Sequence, residues 1–347
     1  MAKLAASTDA SVGAAPRGRP ATVHDRAPVV RGRPRGAAPT LLLLALALAA
    51  AVAACGDDDA KGAGTIGTGP VRVATSISVF ADMIRQVGGD RVTLISLVPP
   101  GADAHTYQPG PKDVKQLGDV RAVFLNGAGL EQSLRGVIEN NTAKTAKTVE
   151  LSQGLTPISF EAEAVGPAGK DEEAEEEGDN PHFWLDVQNA KRYVERIRDT
   201  LVEVDPDGRA TYAANTERYL KELDDTNAYI NEQIATVPAA QRKLVTFHDA
   251  FPYFARAYGL DLVGFVVRAP GREPSAREVK ELGDTLRREQ VKTVYKEPQL
   301  NAKLLERAAK DAGVRVDVLY SDALTKEIPT YVQMMRRNAD AIVRGLR

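Results

Sequence analysis

Apolar residues recur along the chain in two rhythms that alternate. Short β-branched runs read as strands, and longer stretches with apolar side chains every three or four positions read as helices. From Val71 onward, "VRVATS", "RVTLISLV" (91–98), "RAVFLN" (121–126) and "KTVEL" (147–151) predict four strands. Val79, Met83, Ile84 and Val87 carry helical spacing over 78–87, which ends at Gly88-Gly89. Further helices are predicted after the Pro- and Gly-punctuated loop that starts at Pro99, over 130–140, and over 187–204. A second block repeats the plan. Strands are predicted at 243–247, 262–267, 291–295 and 314–319, and helices at about 250–258, 275–289, 300–312 and 328–345. Ser275 with Glu278 three residues on predicts a capping box for the second of these helices.

One long helix separates the blocks. Asp205-Pro206 reads as a helix start, with Asp205 as the N-cap. Tyr212, Tyr219, Leu220, Leu223, Ile230 and Ile234 then keep helical spacing, and no Pro or Gly intervenes after Gly208 until about Thr236. Some 30 residues at 1.5 Å each span about 45 Å, the length of a rigid strut. The fold expected is α/β: two lobes with mostly parallel four-stranded sheets, joined by one long linker helix. The lobes are assigned to 70–204 and 238–347 and the linker to 205–237.

The first 69 residues follow neither rhythm. Residues 41–54, "LLLLALALAAAVAA", form an apolar run behind Arg31, Arg33 and Arg35, and end at Cys55, the only cysteine. A basic region, a short apolar run and small residues before a cleavage point describe an export signal in 1–54. The run is short of the ~20 residues a spanning helix needs. "VAAC" resembles a bacterial lipobox, which makes Cys55 the expected lipidation site; two acyl chains give stable anchoring. Residues 55–69, rich in Gly and Asp, read as a flexible tether. An extracytoplasmic protein, lipid-anchored at the cell surface or in the periplasm, is the expectation.

Charge narrows the partners. The whole chain carries −2, but 1–54 hold Lys3 and six arginines against Asp9 and Asp25, a net of +5, which leaves −7 on the rest. An acidic body is the wrong surface for nucleic acid. "KDEEAEEEGD" within 161–179 reads as a solvated loop that also concentrates cations without discriminating among them.

The candidate chemistry lies in four scarce residues. His105, His182 and His248 are the only histidines outside the leader, which holds His24. Each sits in a motif dense in Pro, Asp and aromatic residues, at a predicted strand end or loop, and Asp322 follows the last strand in "YSDAL". Ligands of open α/β sheets bind beyond the carboxyl ends of the strands. Two of these residues come from each lobe, so all four can face one cleft. Three imidazoles and a carboxylate suit a divalent transition metal, zinc above all, with manganese as the alternative. Four protein ligands fill a tetrahedral shell, which points to binding and away from catalysis. With Cys55 alone there is no disulfide and no thiolate site. A metallohydrolase would need an open coordination position and a base; "HExxH" is absent.

"GADAHTYQPGPKD", "NPHFWLD", "HDAFPYFARAYGL", "GREPSAREVKEL" and "YKEPQ" occur in this order. Together they resemble the metal-binding solute receptors, lipoproteins of ABC importers for zinc and manganese, from about residue 71 to the end. The resemblance implies two α/β lobes joined by a long helix with metal between them. It also implies His105, His182, His248 and Asp322 as ligands, and a permease with its ATPase as partners. Manganese members generally carry a carboxylate at the third ligand position, so His248 implies the zinc type. Glu297 of "YKEPQ" is expected to orient a ligand. The chain departs from the family pattern in an acidic insertion where zinc receptors often have histidines, in Asn180 where Asp is usual, and in Ala323 where Pro is common. A monomeric receptor is the expected state. A surface adhesin of the same fold would share the site.

Overall fold

The computed structural model describes residues 69–159, 178–268, 270–271 and 274–347. The leader, Cys55, all but the last residue of the 55–69 tether and nearly all of the acidic insertion lie outside them. Within the described residues the two rhythms become two sheets. β1 (Val71–Thr75), β2 (Val92–Ser96), β3 (Ala122–Leu125) and β4 (Lys147–Glu150) form the first, in the order β2-β1-β3-β4. β5 (Lys243–His248), β6 (Asp261–Val267), β7 (Thr293–Lys296) and β8 (Arg315–Val318) form the second, in the order β6-β5-β7-β8. Every pairing is parallel; Val73, for example, stands opposite Leu94 on one side and Ala122 on the other. β3 is buried at all four positions, as a strand covered on both faces must be.

Helices cross between the strands as the spacing predicts. α1 (Ser78–Gly88), α2 (Pro111–Lys115), α3 (Gln132–Asn141) and α4 (Val187–Val204) belong to the first sheet. α5 (Arg209–Ala235) is the long helix, and α6 (Pro252–Tyr258), α7 (Ala276–Arg288), α8 (Lys303–Ala312) and α9 (Tyr331–Leu346) follow it. α5 runs 27 residues, about 40 Å. It buries Tyr212, Thr216, Tyr219, Leu223, Thr226, Ile230 and Ile234, a single face at helical spacing. The Ser275–Glu278 capping box forms as expected. Gly259 closes α6 with φ 67°, a left-handed turn that glycine adopts without the Cβ penalty.

The start of the long helix differs from expectation. A 3₁₀ turn, Pro206–Gly208, leads into it, and the Asp205 carboxylate caps nothing. That carboxylate instead accepts two hydrogen bonds from Arg91, at 2.9 and 2.8 Å, and one from Tyr212 at 2.5 Å. A bidentate guanidinium is a stronger partner for a buried carboxylate than one backbone N–H.

α9 does more than cover the second sheet. It packs along α5 and reaches α1, and Tyr331, Met334, Met335, Ala339 and Ile342 join the first lobe's core. Three buried hydrogen bonds reinforce that crossing. Leu324 N–H donates to Ser78 Oγ (2.8 Å), Tyr331 N–H to Asp82 (2.8 Å), and Tyr331 O–H to the Trp184 carbonyl (2.6 Å). A separate core sits on the α7–α8 side of the second sheet, built on Val245, Val266, Leu282, Leu286 and Leu305. No helix among the described residues is long and apolar enough to cross a membrane.

Candidate metal centre

Each of the four predicted residues leaves the carboxyl-end side of its lobe. His105 lies in the loop after β2, and its backbone N–H donates to Asp103 Oδ1 at 3.0 Å. His182 precedes a 3₁₀ turn, Phe183–Leu185, after which Asp186 caps α4 by accepting from Gln188 N–H. His248 is the last residue of β5. Asp322 follows β8.

They meet. One nitrogen from each of His105, His182 and His248 and one oxygen of Asp322 all lie within 4.8 Å of one another. His182 Nε2 and His248 Nε2 are 3.1 Å apart. Asp322 oxygens stand 3.4 Å from His182 Nε2, 3.6 Å from His105 Nε2 and 3.9 Å from His248 Nε2. An ion holding four ligands tetrahedrally at 2.0–2.1 Å would separate them by roughly 3.3 Å. The observed spacing needs only small adjustments to meet that figure.

The cluster is dry. His182, His248 and Asp322 side chains are at most 1% exposed, whereas His105 is 13% exposed. The site therefore reaches solvent past His105. A cavity of about 300 Å³ lies on that side, lined by Asp103, Thr106, Phe247, Gly271 and Gln299 among others. A larger cavity, about 590 Å³, sits at the amino ends of the first sheet among Arg72, Arg91, Arg121 and Asp205. Arg91 and Asp205 are already paired there, and none of the four candidate ligands lines it.

Groups behind the four candidate residues set their charges. Glu297 Oε2 lies 2.5 Å from His248 Nδ1 and also accepts from Ser321 O–H at 2.8 Å. Gln299 Nε2 donates to that hydroxyl at 3.1 Å. Trp184 Nε1–H donates to the Ser321 carbonyl at 3.0 Å, and its indole packs 5.3 Å from the His182 ring. Burial lowers the pKa of His182 well below the ordinary imidazole value, and the neighbouring His248 and His105 push the same way. Burial, then His248, lowers His105 to about 4. Burial also works against the charged form of His248, but Glu297 and then Asp322 overcome it and raise the group to about 9. Burial raises Asp322 to about 7, with Glu297 and Asp103 adding to it and His248 opposing.

All four residues singled out from the sequence thus converge, and Glu297 stands directly behind one of them. The contacts of Asn180, Trp184, Ser321 and Gln299 were not foreseen. Each lies within three residues of a singled-out residue, but no local pattern pairs them across the fold.

A buried knot of imidazoles and carboxylate between two parallel lobes offers coordination bonds and little room for a reacting molecule. That is the architecture of a substrate-binding protein that receives a metal ion for an ABC importer. The chain belongs to the family of the periplasmic zinc-uptake complex component A, ZnuA, whose profile matches residues 73–345. Members of this family are substrate-binding proteins of ABC importers and not enzymes. Among its relatives is the manganese-binding lipoprotein MntA of Halalkalibacterium halodurans, 33% identical over 84% of this chain and 93% of that one. The iron-binding protein YfeA of Yersinia pestis is 29% identical over 79% of this chain and 86% of its own length. A crystal structure of ZnuA superposes with a TM-score of 0.69 at 30% identity, covering 80% of this chain and all of that one.

Proposed function

We propose that the protein is an extracytoplasmic zinc receptor. It captures one Zn²⁺ on His105, His182, His248 and Asp322 and hands it to a membrane permease driven by an ATPase. The observation that carries this reading is the convergence of three imidazoles and one carboxylate on a single buried point. Imidazole is a borderline ligand that favours zinc over manganese, and the carboxylate offsets the ion's charge. Glu297 behind His248 supports the same choice, since a carboxylate on the far nitrogen raises the ring's donor strength. The relatives named for manganese and iron make those ions the competing reading.

Cys55 is the proposed lipid anchor, and the domain division at 70–204, 205–237 and 238–347 is the proposed organisation. Ligand release needs local movement near His182 together with contact from the permease, because α5 and α9 tie the lobes together. Calorimetric competition at pH 7.5 tests the metal: zinc should displace bound manganese at equimolar concentrations, and manganese displacing zinc would overturn the assignment.

A further inference from the structure

Asn180 is fully buried, and each of its polar atoms is engaged. Its backbone N–H donates to the Ile158 carbonyl at 2.8 Å, and its carbonyl accepts from Tyr253 O–H at 2.8 Å. Its side-chain Nδ2 donates to the Asp249 carbonyl at 2.7 Å, across the cleft and one residue past His248. Its Oδ1 accepts from the His182 backbone N–H at 3.1 Å and faces His182 Nδ1 at 2.9 Å.

Two of these contacts fix which way the amide points. A carbonyl oxygen cannot donate, so the NH₂ group must face Asp249. A backbone N–H cannot accept, so the amide oxygen must face residue 182. The ring nitrogen opposite that oxygen is therefore the protonated one. His182 is held with its proton on Nδ1 and its lone pair on Nε2, the atom that faces His248 and Asp322. Only that tautomer can offer Nε2 to a metal, and the partner of the other nitrogen decides which tautomer forms.

We propose that Asn180 is a positioning residue that sets the tautomer of His182 and couples it, through Asp249, to the strand that carries His248. The inference rests on the metal-receptor reading of the site. Among side chains of this size, only asparagine does both jobs. Aspartate keeps the acceptor for the ring but sets a carboxylate oxygen against the Asp249 carbonyl. Leucine keeps neither contact.

The test reads tautomers in the metal-free full chain, labelled with ¹⁵N-histidine, by long-range ¹H–¹⁵N spectra, with H182Q assigning the resonance. Zinc dissociation into excess chelator is then timed for each variant, and thermal unfolding confirms that each one folds. Wild-type His182 should show the Nδ1–H tautomer. N180L should lose that single tautomer and release zinc about 10–100-fold faster. N180D should retain the tautomer yet release zinc faster than wild type, because the bond to Asp249 is gone. An Nε2–H tautomer in the wild type would overturn the proposal without any variant. So would an N180L protein that keeps both the Nδ1–H tautomer and the wild-type rate. A wild type that shows Nδ1–H but binds no zinc would uphold this placement while overturning the metal reading.

Discussion

Glu297 Oε2 stands 2.5 Å from His248 Nδ1, with both side chains essentially without solvent exposure. The pair places a carboxyl group behind a histidine whose other nitrogen faces His182 Nε2 at 3.1 Å. With His182 offering a lone pair there, His248 is the ring that carries both protons. An imidazolium between a carboxylate and a neutral imidazole accounts for a group raised to about 9 despite complete burial. Removing Glu297 should therefore matter twice. E297Q keeps the shape, weakens the ring as a ligand and ends its preference for the charged form. The first effect weakens zinc binding and the second removes a proton that zinc must displace, so zinc affinity above pH 9, where the wild-type ring is neutral too, should fall about 10–100-fold, measured by competition with a chelating dye. An unchanged affinity would place Glu297 outside the metal's support.

Metal capture should release protons. At pH 7.5 His248 still holds the proton that an ion must replace, while His105 and His182 are already neutral because burial lowers both. Asp322, raised to about 7, adds a second proton as the pH falls below that value. Affinity should thus drop about tenfold per pH unit from 8.5 to 7.5 and more steeply toward pH 6. Calorimetry in buffers of different ionisation enthalpy counts the protons directly; about one at pH 7.5 and more at pH 6.5 is the expected result.

Asp322 should stabilise the complex and destabilise the metal-free fold. Its carboxyl is raised from 3.8 to about 7 by burial, so the folded protein holds that proton more tightly than the unfolded chain does. A group shifted upward in this way favours folding at low pH and costs stability as the pH rises from about 4 to 7. D322N should raise the metal-free Tm at pH 7.5 by roughly 2–4 °C, for on the order of 1 kcal/mol relieved, while lowering zinc affinity at least tenfold. A lower Tm would show that the carboxylate is satisfied without metal.

Much of this is legible in the sequence. Strands such as β3 and β6 could be read because they are largely buried in a parallel sheet, which leaves continuous apolar runs such as "AVFL" and "LVGFVV", and the more exposed β4 and β8 could be read from their β-branched residues. The candidate ligands could be read because histidine is scarce and each sits at a strand end or in a loop. The missed features are long-range. Asp205 looks like a cap in its local sequence, and only the fold brings Arg91 to it from 114 residues away. α9 reads as a second-lobe helix, and only packing reveals Tyr331 bonded to Asp82 on α1, 249 residues away. Trp184 and Ser321 are 137 residues apart, so no periodicity could pair them.

The crossing of α9 limits how the cleft can move. The segment that carries Asp322 is bonded to the first lobe at Ser78, Asp82 and Trp184. Opening by rigid rotation of the lobes would break these bonds together with those from Tyr331 O–H to the Trp184 carbonyl and from Asn180 to the Asp249 carbonyl, and would expose a shared core. Small-angle scattering with and without zinc should give radii of gyration that agree within about 1 Å. A larger change would mean that the lobes separate as bodies.

The central claim is that His105, His182, His248 and Asp322 hold one zinc ion. A crystal of the protein grown in limiting, equimolar zinc and manganese, with anomalous data collected on both sides of the zinc edge, tests it most directly. The account predicts a single strong peak that appears only above the zinc edge, bonded to those four side chains. A peak that persists below the edge, or an ion bound by other residues, would contradict it.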